Sequence, residues 1–171
     1  MQRVLVVGCG NASRRDDGAG LYVIRGLAAR FGLAPQPEEE DGFAEARGQV
    51  EGAAGPVCLE MRFTQQFDLV LADELKEVDL FIAVDAHTGA YPEALRRVEV
   101  SPGYSSSLTS HHLTPDTLAG ISLALHGKAP RTVVFSVRGY DFNFGTDLTP
   151  QTQAAADQAI EEIATLVCGG E

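Results

Sequence analysis

Three features of the sequence predict an α/β fold, a three-layer α/β/α sandwich around a mostly parallel twisted sheet. The first is the wholly apolar segment 4–7, which runs into Gly8-Cys9-Gly10 and then into a helical pattern. The second is segment 80–84, apolar throughout, as a central parallel strand covered on both faces should be. The third is the alternation of such strands with amphipathic helices and the absence of an internal repeat, which together indicate a doubly wound sheet in one domain, residues 1–171.

The elements follow in order. Gly8 and Gly10 let the first strand turn sharply without a Cβ penalty. Asp16 and Asp17 then arrive where the free amides and positive end of a helix favour a carboxylate. One acid suffices as a cap. The other is left over at a strand end, where open α/β sheets keep their sites. In the helix expected over 18–31, Leu21, Ile24, Leu27, Ala28 and Phe31 share one face. Residues 34–56 break the pattern. They are rich in Pro, Gly, Ala and Glu, carry Glu38-Glu39-Glu40-Asp41, and read as an exposed acidic excursion with at most a short helix around 43–47.

Val57, Leu59, Met61 and Phe63 alternate with polar or small residues and predict a half-buried strand. Thr64 is placed to cap a helix whose face carries Phe67, Val70, Leu71, Leu75 and Val78. Strand 80–84 ends at Asp85, and segment 96–100 reads as a strand nearer an edge. Thr114-Pro115 and Thr149-Pro150 each set a hydroxyl before a proline at the first helical position. The helices they open present Leu118, Ile121 and Leu125, then Ile160, Ile163 and Val167, and stop at Gly127 and Gly169. Segment 132–137 supplies a further strand between them.

Composition narrows the function. Asp plus Glu outnumber Lys plus Arg by 24 to 13, a formal charge of −11 that repels nucleic acid and anionic lipid. No apolar run approaches the ~20 residues of a membrane span, and the N-terminus enters strand pattern at Val4 without a signal core, so neither membrane insertion nor export is expected. Cys9, Cys58 and Cys168 are odd in number and lack metal-type spacing, which suits reduced thiols in the cytoplasm.

Loops after the strands' carboxyl ends gather on one rim of such a sheet. Asp17 and Asp85 belong to that rim, and His111 and His112 precede a helix expected to begin on the same side. Two carboxylates and an imidazole can ligate a first-row transition metal. Each also has a plainer reading: Asp17 as a helix cap, Asp85 as an acceptor of strand-end amides, and the histidines as loop residues. His87 reads as a surface residue, with the position of a spare ligand.

The order and spacing of Gly8-Cys9-Gly10-Asn11 through Asp16-Asp17-Gly18, Ala83-Val84-Asp85-Ala86 and Ser110-His111-His112-Leu113-Thr114-Pro115 resemble the hydrogenase maturation endopeptidase family. The resemblance implies a single α/β/α domain and a metal-binding triad at Asp17, Asp85 and His111. It implies an aspartic-type or nickel-assisted protease that trims the C-terminal extension of a nickel–iron hydrogenase large-subunit precursor after nickel insertion. The partner is then the nickel-loaded precursor, with nickel supplied by the substrate and other divalent metals able to substitute in vitro. Some members carry glutamate at the place of Asp17, and many have a Gly-Thr loop where this chain reads Arg62-Phe63-Thr64-Gln65-Gln66.

No Ser-His-Asp or Cys-His set appears at a recognisable spacing, so the residues favour metal-assisted hydrolysis or a carboxylate general base. Gly8, Gly10 and Asn11 would shape the supporting turn, and Asp16 would orient His111 or a backbone amide. Two other classes compete. A non-proteolytic nickel-sensing or hydrogenase-binding accessory protein would use the same triad. A phosphatase would use Cys9, five residues and Arg15 as a phosphate loop, although Asp16 and Asp17 repel the anion. A dinucleotide site is disfavoured, because Ser13 replaces the third glycine of that fingerprint.

Overall fold

A computed structural model describes residues 1–34, 46–103 and 113–170. Its strands are β1 (Gln2–Cys9), β2 (Ala46–Gly52), β3 (Gly55–Thr64), β4 (Leu80–His87), β5 (Leu95–Val100) and β6 (Arg131–Arg138). Its helices are α1 (Ala19–Arg30), α2 (Leu69–Glu74), α3 (Pro115–His126) and α4 (Pro150–Val167), with short 3-10 turns at Arg15–Gly18 and Leu75–Glu77. The six strands form one sheet in the order β2-β3-β1-β4-β6-β5. β3, β1, β4 and β6 run parallel, and an antiparallel strand closes each edge.

The period-two alternation of each strand divides its side chains between two cores. Val4, Val6, Ile82, Val84, Phe135 and Val137 meet Ile24 and Leu27 of α1 and Ile163 and Val167 of α4. Leu5, Val7, Phe81 and Ala83 meet Leu71 of α2, Leu75, and Leu118 of α3 on the opposite face. The expected three-layer sandwich is the fold observed.

Some local expectations change. Residues 46–52 of the acidic excursion form β2, paired antiparallel to β3 through a turn at Gly52 and Gly55. The strand was hidden because Ala46, Gly48, Val50 and Gly52 hold alternate positions, two of them filled by glycine. The expected helix at 43–47 is corrected at Ala46 and Arg47, which are strand; 43–45 lie outside the described residues. Helix α2 starts later than Thr64 predicted, because Asp68 caps it through the amide of Leu71 at 3.1 Å. On α3 the buried face is Leu118, Ala119 and Ser122, so Leu125 points outward. Neither Thr114 nor Thr149 caps its own helix by its hydroxyl.

The start of α1 lies unusually close to the ends of β1 and β4. A Cβ on Gly20 would stand 2.8 Å from the amide nitrogen of Cys9 and 3.1 Å from the carbonyl oxygen of Val84. Both neighbours are backbone within the sheet and cannot swing away. Alanine is the better helix former by about 1 kcal/mol, yet Gly20→Ala should destabilise the protein by roughly 1–3 kcal/mol through overpacking. Urea unfolding of the variant checks the sign.

Candidate functional site

The strand order makes the chain reverse direction across β1: it leaves β1 toward β3, then returns to β4 on the other side. A crevice opens outside the carboxyl ends of the strands at such a reversal. Asp17 lies in the turn that follows β1, and Asp85 stands near the end of β4. They therefore flank the crevice from its two sides.

The turn that carries Asp17 is held by backbone geometry. Gly10 adopts φ 145°, and a Cβ there would lie 2.1 Å from the carbonyl oxygen of Asp17. Only glycine tolerates both conditions. The amide of Asn11 then donates to Oδ2 of Asp17 at 2.9 Å, while Oδ1 of Asn11 accepts from the amide of Ser13. Gly8 supports the same turn from below, since a Cβ there would meet the carbonyl oxygen of Gly20 at 2.5 Å. The helix that follows has no side-chain cap, so the plain reading of Asp17 as a cap of α1 is not what the fold uses it for.

Asp85 points to the α2/α3 side of the sheet, in register with Ser136 of β6. Burial pushes its carboxyl up to about 6; the Ser136 hydrogen bond opposes that rise and the charge of Asp17 adds to it. Its Oδ1 is buried without a hydrogen-bond partner among the described residues. Cys9, on the same face, donates its thiol to the carbonyl oxygen of Gln65 at 3.3 Å. Burial and then the charges of Asp85 and Asp17 push that thiol up to about 11. Asp17, Asp85 and Cys9 thus share one electrostatic neighbourhood.

His111 and His112 lie outside the described residues. Helix α3 ends on the strand-start side, where His126 meets Asp73 at 2.8 Å, so its first turn is directed toward the opposite rim. No cluster of three or more His, Cys, Asp or Glu that could hold a metal occurs among the described residues. The carboxylate pair itself suits a cation. Oδ1 of Asp85 is a buried acceptor with no partner among the described residues, and the like charge of Asp17 acts on it.

Asp16 has a different task from its neighbour. It is fully buried and accepts from the amides of Tyr140 (2.7 Å), Asp141 (3.0 Å) and Thr149 (2.7 Å) and from the Thr149 hydroxyl (2.8 Å). Burial alone would raise its pKa, but these hydrogen bonds hold it below the ordinary value. Asp16 therefore orients backbone amides of the β6–α4 loop. The role of Thr149 was visible only as a helix start, and Ser136 only as a polar break in an apolar strand.

Two further expectations are corrected. His87 is buried, not a surface residue. Its Nδ1 accepts from the amide of Gly89 and its Nε2 donates to the carbonyl of Glu93, both at 3.2 Å, so neither ring nitrogen is spare. The phosphatase reading fails on its nucleophile. Cys9 stays protonated at neutral pH beside two carboxylates, and Arg15 pairs with Asp141 at 3.5 Å.

Two predictions follow from these acids. Asp16→Ala leaves three amides and a hydroxyl without their acceptor and should cost about 3 kcal/mol or more by urea unfolding. Because the native pKa of Asp16 is lowered, its contribution should be present at neutral pH and lost as pH falls below about 4. Asp85 has the opposite sign. Its raised pKa makes the native state hold a proton more tightly than the unfolded chain, a penalty fully present above pH 6 and relieved toward pH 4. Asp85→Asn should therefore stabilise the protein at pH 7.5 by about 2–3 kcal/mol, with the gain shrinking at pH 4.5. A gain that stayed constant between the two would assign it to packing instead.

No sequence profile of a known family matches the chain, and no curated protein sequence does. Solved structures do. The hydrogenase maturating endopeptidase HybD from E. coli is 17% identical, with a TM-score of 0.64 over 97% of this chain and 92% of that one. The [NiFe] hydrogenase maturation protease HycI from Thermococcus kodakarensis is 18% identical, with a TM-score of 0.62 over the same shares of the two chains. Peptidyl-tRNA hydrolase from Acinetobacter baumannii is 12% identical, with a TM-score of 0.57 over 99% of this chain and 89% of that one. At these identities the shared property is architecture: the chain has the fold of the hydrogenase maturation endopeptidases, which peptidyl-tRNA hydrolase also has.

Proposed function

We propose that the protein is an endopeptidase of hydrogenase maturation, removing the C-terminal extension of a nickel–iron hydrogenase large-subunit precursor once nickel is in place. The observation that carries this reading is the buried carboxyl of Asp85 at the switch-point rim, which feels the charge of Asp17 and has one oxygen without a hydrogen-bond partner among the described residues. The sequence motifs that resemble the family include both of these aspartates. The competing use of the fold, on a tRNA substrate, is disfavoured by the formal charge of −11.

Asp17, Asp85 and His111 would hold or sense the nickel carried by the substrate. When bound there, nickel would supply Lewis-acid polarisation of the scissile carbonyl and would ease deprotonation of the attacking water. Asp85, with a carboxyl near 6, suits proton transfer around neutral pH, taking a proton from the attacking water or returning it to the leaving amine. Asp17 is held as an acceptor by the Asn11 amide and repels a second full charge at Asp85. A cleft on the α2 face, lined by Val7, Thr64, Gln66, Phe67 and Val70 together with the charged Arg62, Asp68 and Glu74, is where the proposal seats the extended peptide. No helix among the described residues is long and apolar enough to cross a membrane, and all three cysteines are free. The proposal places the protein in the cytoplasm, where thiols stay reduced.

The test is the intact mass of a candidate precursor after incubation with the protein, with and without installed nickel. Loss of the C-terminal peptide from the nickel-loaded sample alone is the expected result, and His111→Ala should abolish it while retaining the native melting transition. Binding of the precursor with its mass unchanged would instead support a non-proteolytic accessory role.

A further inference from the structure

The β1–α1 turn and the β6–α4 loop are joined into one rigid projection. Besides the four hydrogen bonds to Asp16, the amide of Asp16 donates to the carbonyl of Asp141 at 3.0 Å. The amide of Arg15 donates to the carbonyl of Gly145 at 2.9 Å, and the amide of Gly145 donates to the carbonyl of Ser13 at 3.0 Å. Nε of Arg14 donates to the carbonyl of Phe142 at 3.2 Å. The Asp141 carboxylate accepts from the amide of Asn143 at 3.0 Å and pairs with Arg15. A segment so fully bonded has little backbone freedom left to lose on association.

At its tip Phe144 is 89% exposed, the most exposed large apolar side chain among the described residues, with Tyr140 half exposed nearby. Folding alone gives no reason to present a phenylalanine to water on a loop this well fixed. The exposed side chain of Arg14 lies along the same loop, its Nε bonded to the carbonyl of Phe142 two residues before Phe144 and its backbone bridged to Gly145 just after it. A positive group beside an aromatic tip, on a protein with a net charge of −11, makes a locally distinct contact spot. Buried aromatic anchors flanked by charge dominate protein interfaces, and a pre-ordered anchor binds with less entropic cost.

We infer that Phe144, flanked by Arg14, is the docking anchor for the folded body of the protein substrate, inserting into an apolar recess with an acidic edge. This rests on the processing reaction proposed above, which requires a protein partner at this rim. The projection shares the turn that carries Asp17, so a partner held at Phe144 is held next to the crevice. Phe144 makes no contact with the reacting atoms; it sets affinity and register.

The test is steady-state processing of the nickel-loaded precursor. Phe144→Ala should raise KM about tenfold with kcat within twofold of the parent and an unchanged melting temperature. Phe144→Leu should recover most of the loss, and Leu125→Ala on the outer face of α3 should change neither constant. Raising the salt concentration should raise KM for the parent, and less so for Arg14→Gln. An unchanged KM in Phe144→Ala, or a fall in kcat alone, overturns the assignment. So does a change in the protein's own oligomeric mass, which would make a second copy the occupant. Parent protein that cleaves nothing defeats the proposed reaction instead, and the two failures are told apart.

Discussion

The carboxylate of Asp16 is the constraint on which the functional rim depends. It is buried, yet it is satisfied by three amides and a hydroxyl from a loop more than 120 residues away in sequence. A buried charge is tolerable only with such a complete set of donors. The consequence is mechanical. The turn after β1 and the loop after β6 become one unit, and the adjacent Asp17 inherits a fixed backbone position.

Asp16 and Asp85 have opposite energetic roles. Asp16 is stabilised as an anion by its hydrogen bonds, so it supports the native state at neutral pH. Asp85 is buried within reach of the charge of Asp17, with a raised pKa and one oxygen unpartnered among the described residues, so it costs stability there. Such a cost is typical of functional sites, where groups are arranged for a ligand or a proton and not for the fold. The close approach of α1 to β1 and β4, through Gly20 and Gly8, keeps both sides of the crevice in register.

Much of the architecture was legible because it is written in periodicity. Residues 57–63 alternate and become β3; residues 80–84 are apolar throughout and become the start of central β4. β2 was not legible, because glycines occupy two of its inward positions and erase the hydrophobic signal. One of the acids after β1 was expected to cap the first helix, and neither does. Local spacing suggests that an acid caps the nearest helix, whereas Asp16 reaches the start of α4 and α1 has no side-chain cap. His87 was misread for a similar reason, since its partners Gly89 and Glu93 form a loop that no periodicity announces.

By itself the sequence determined the fold class, the parallel core of the sheet and the candidates Asp17 and Asp85, since patterning and glycine turns are local properties of the chain. Only the tertiary structure decided that the charge of Asp17 reaches the buried carboxyl of Asp85, that Asp16 bonds to the β6–α4 loop, and that Phe144 is held outward. Those facts depend on which strands become neighbours. Neighbour choice is set by packing of two cores across the whole sheet, a long-range balance of burial that no segment carries alone.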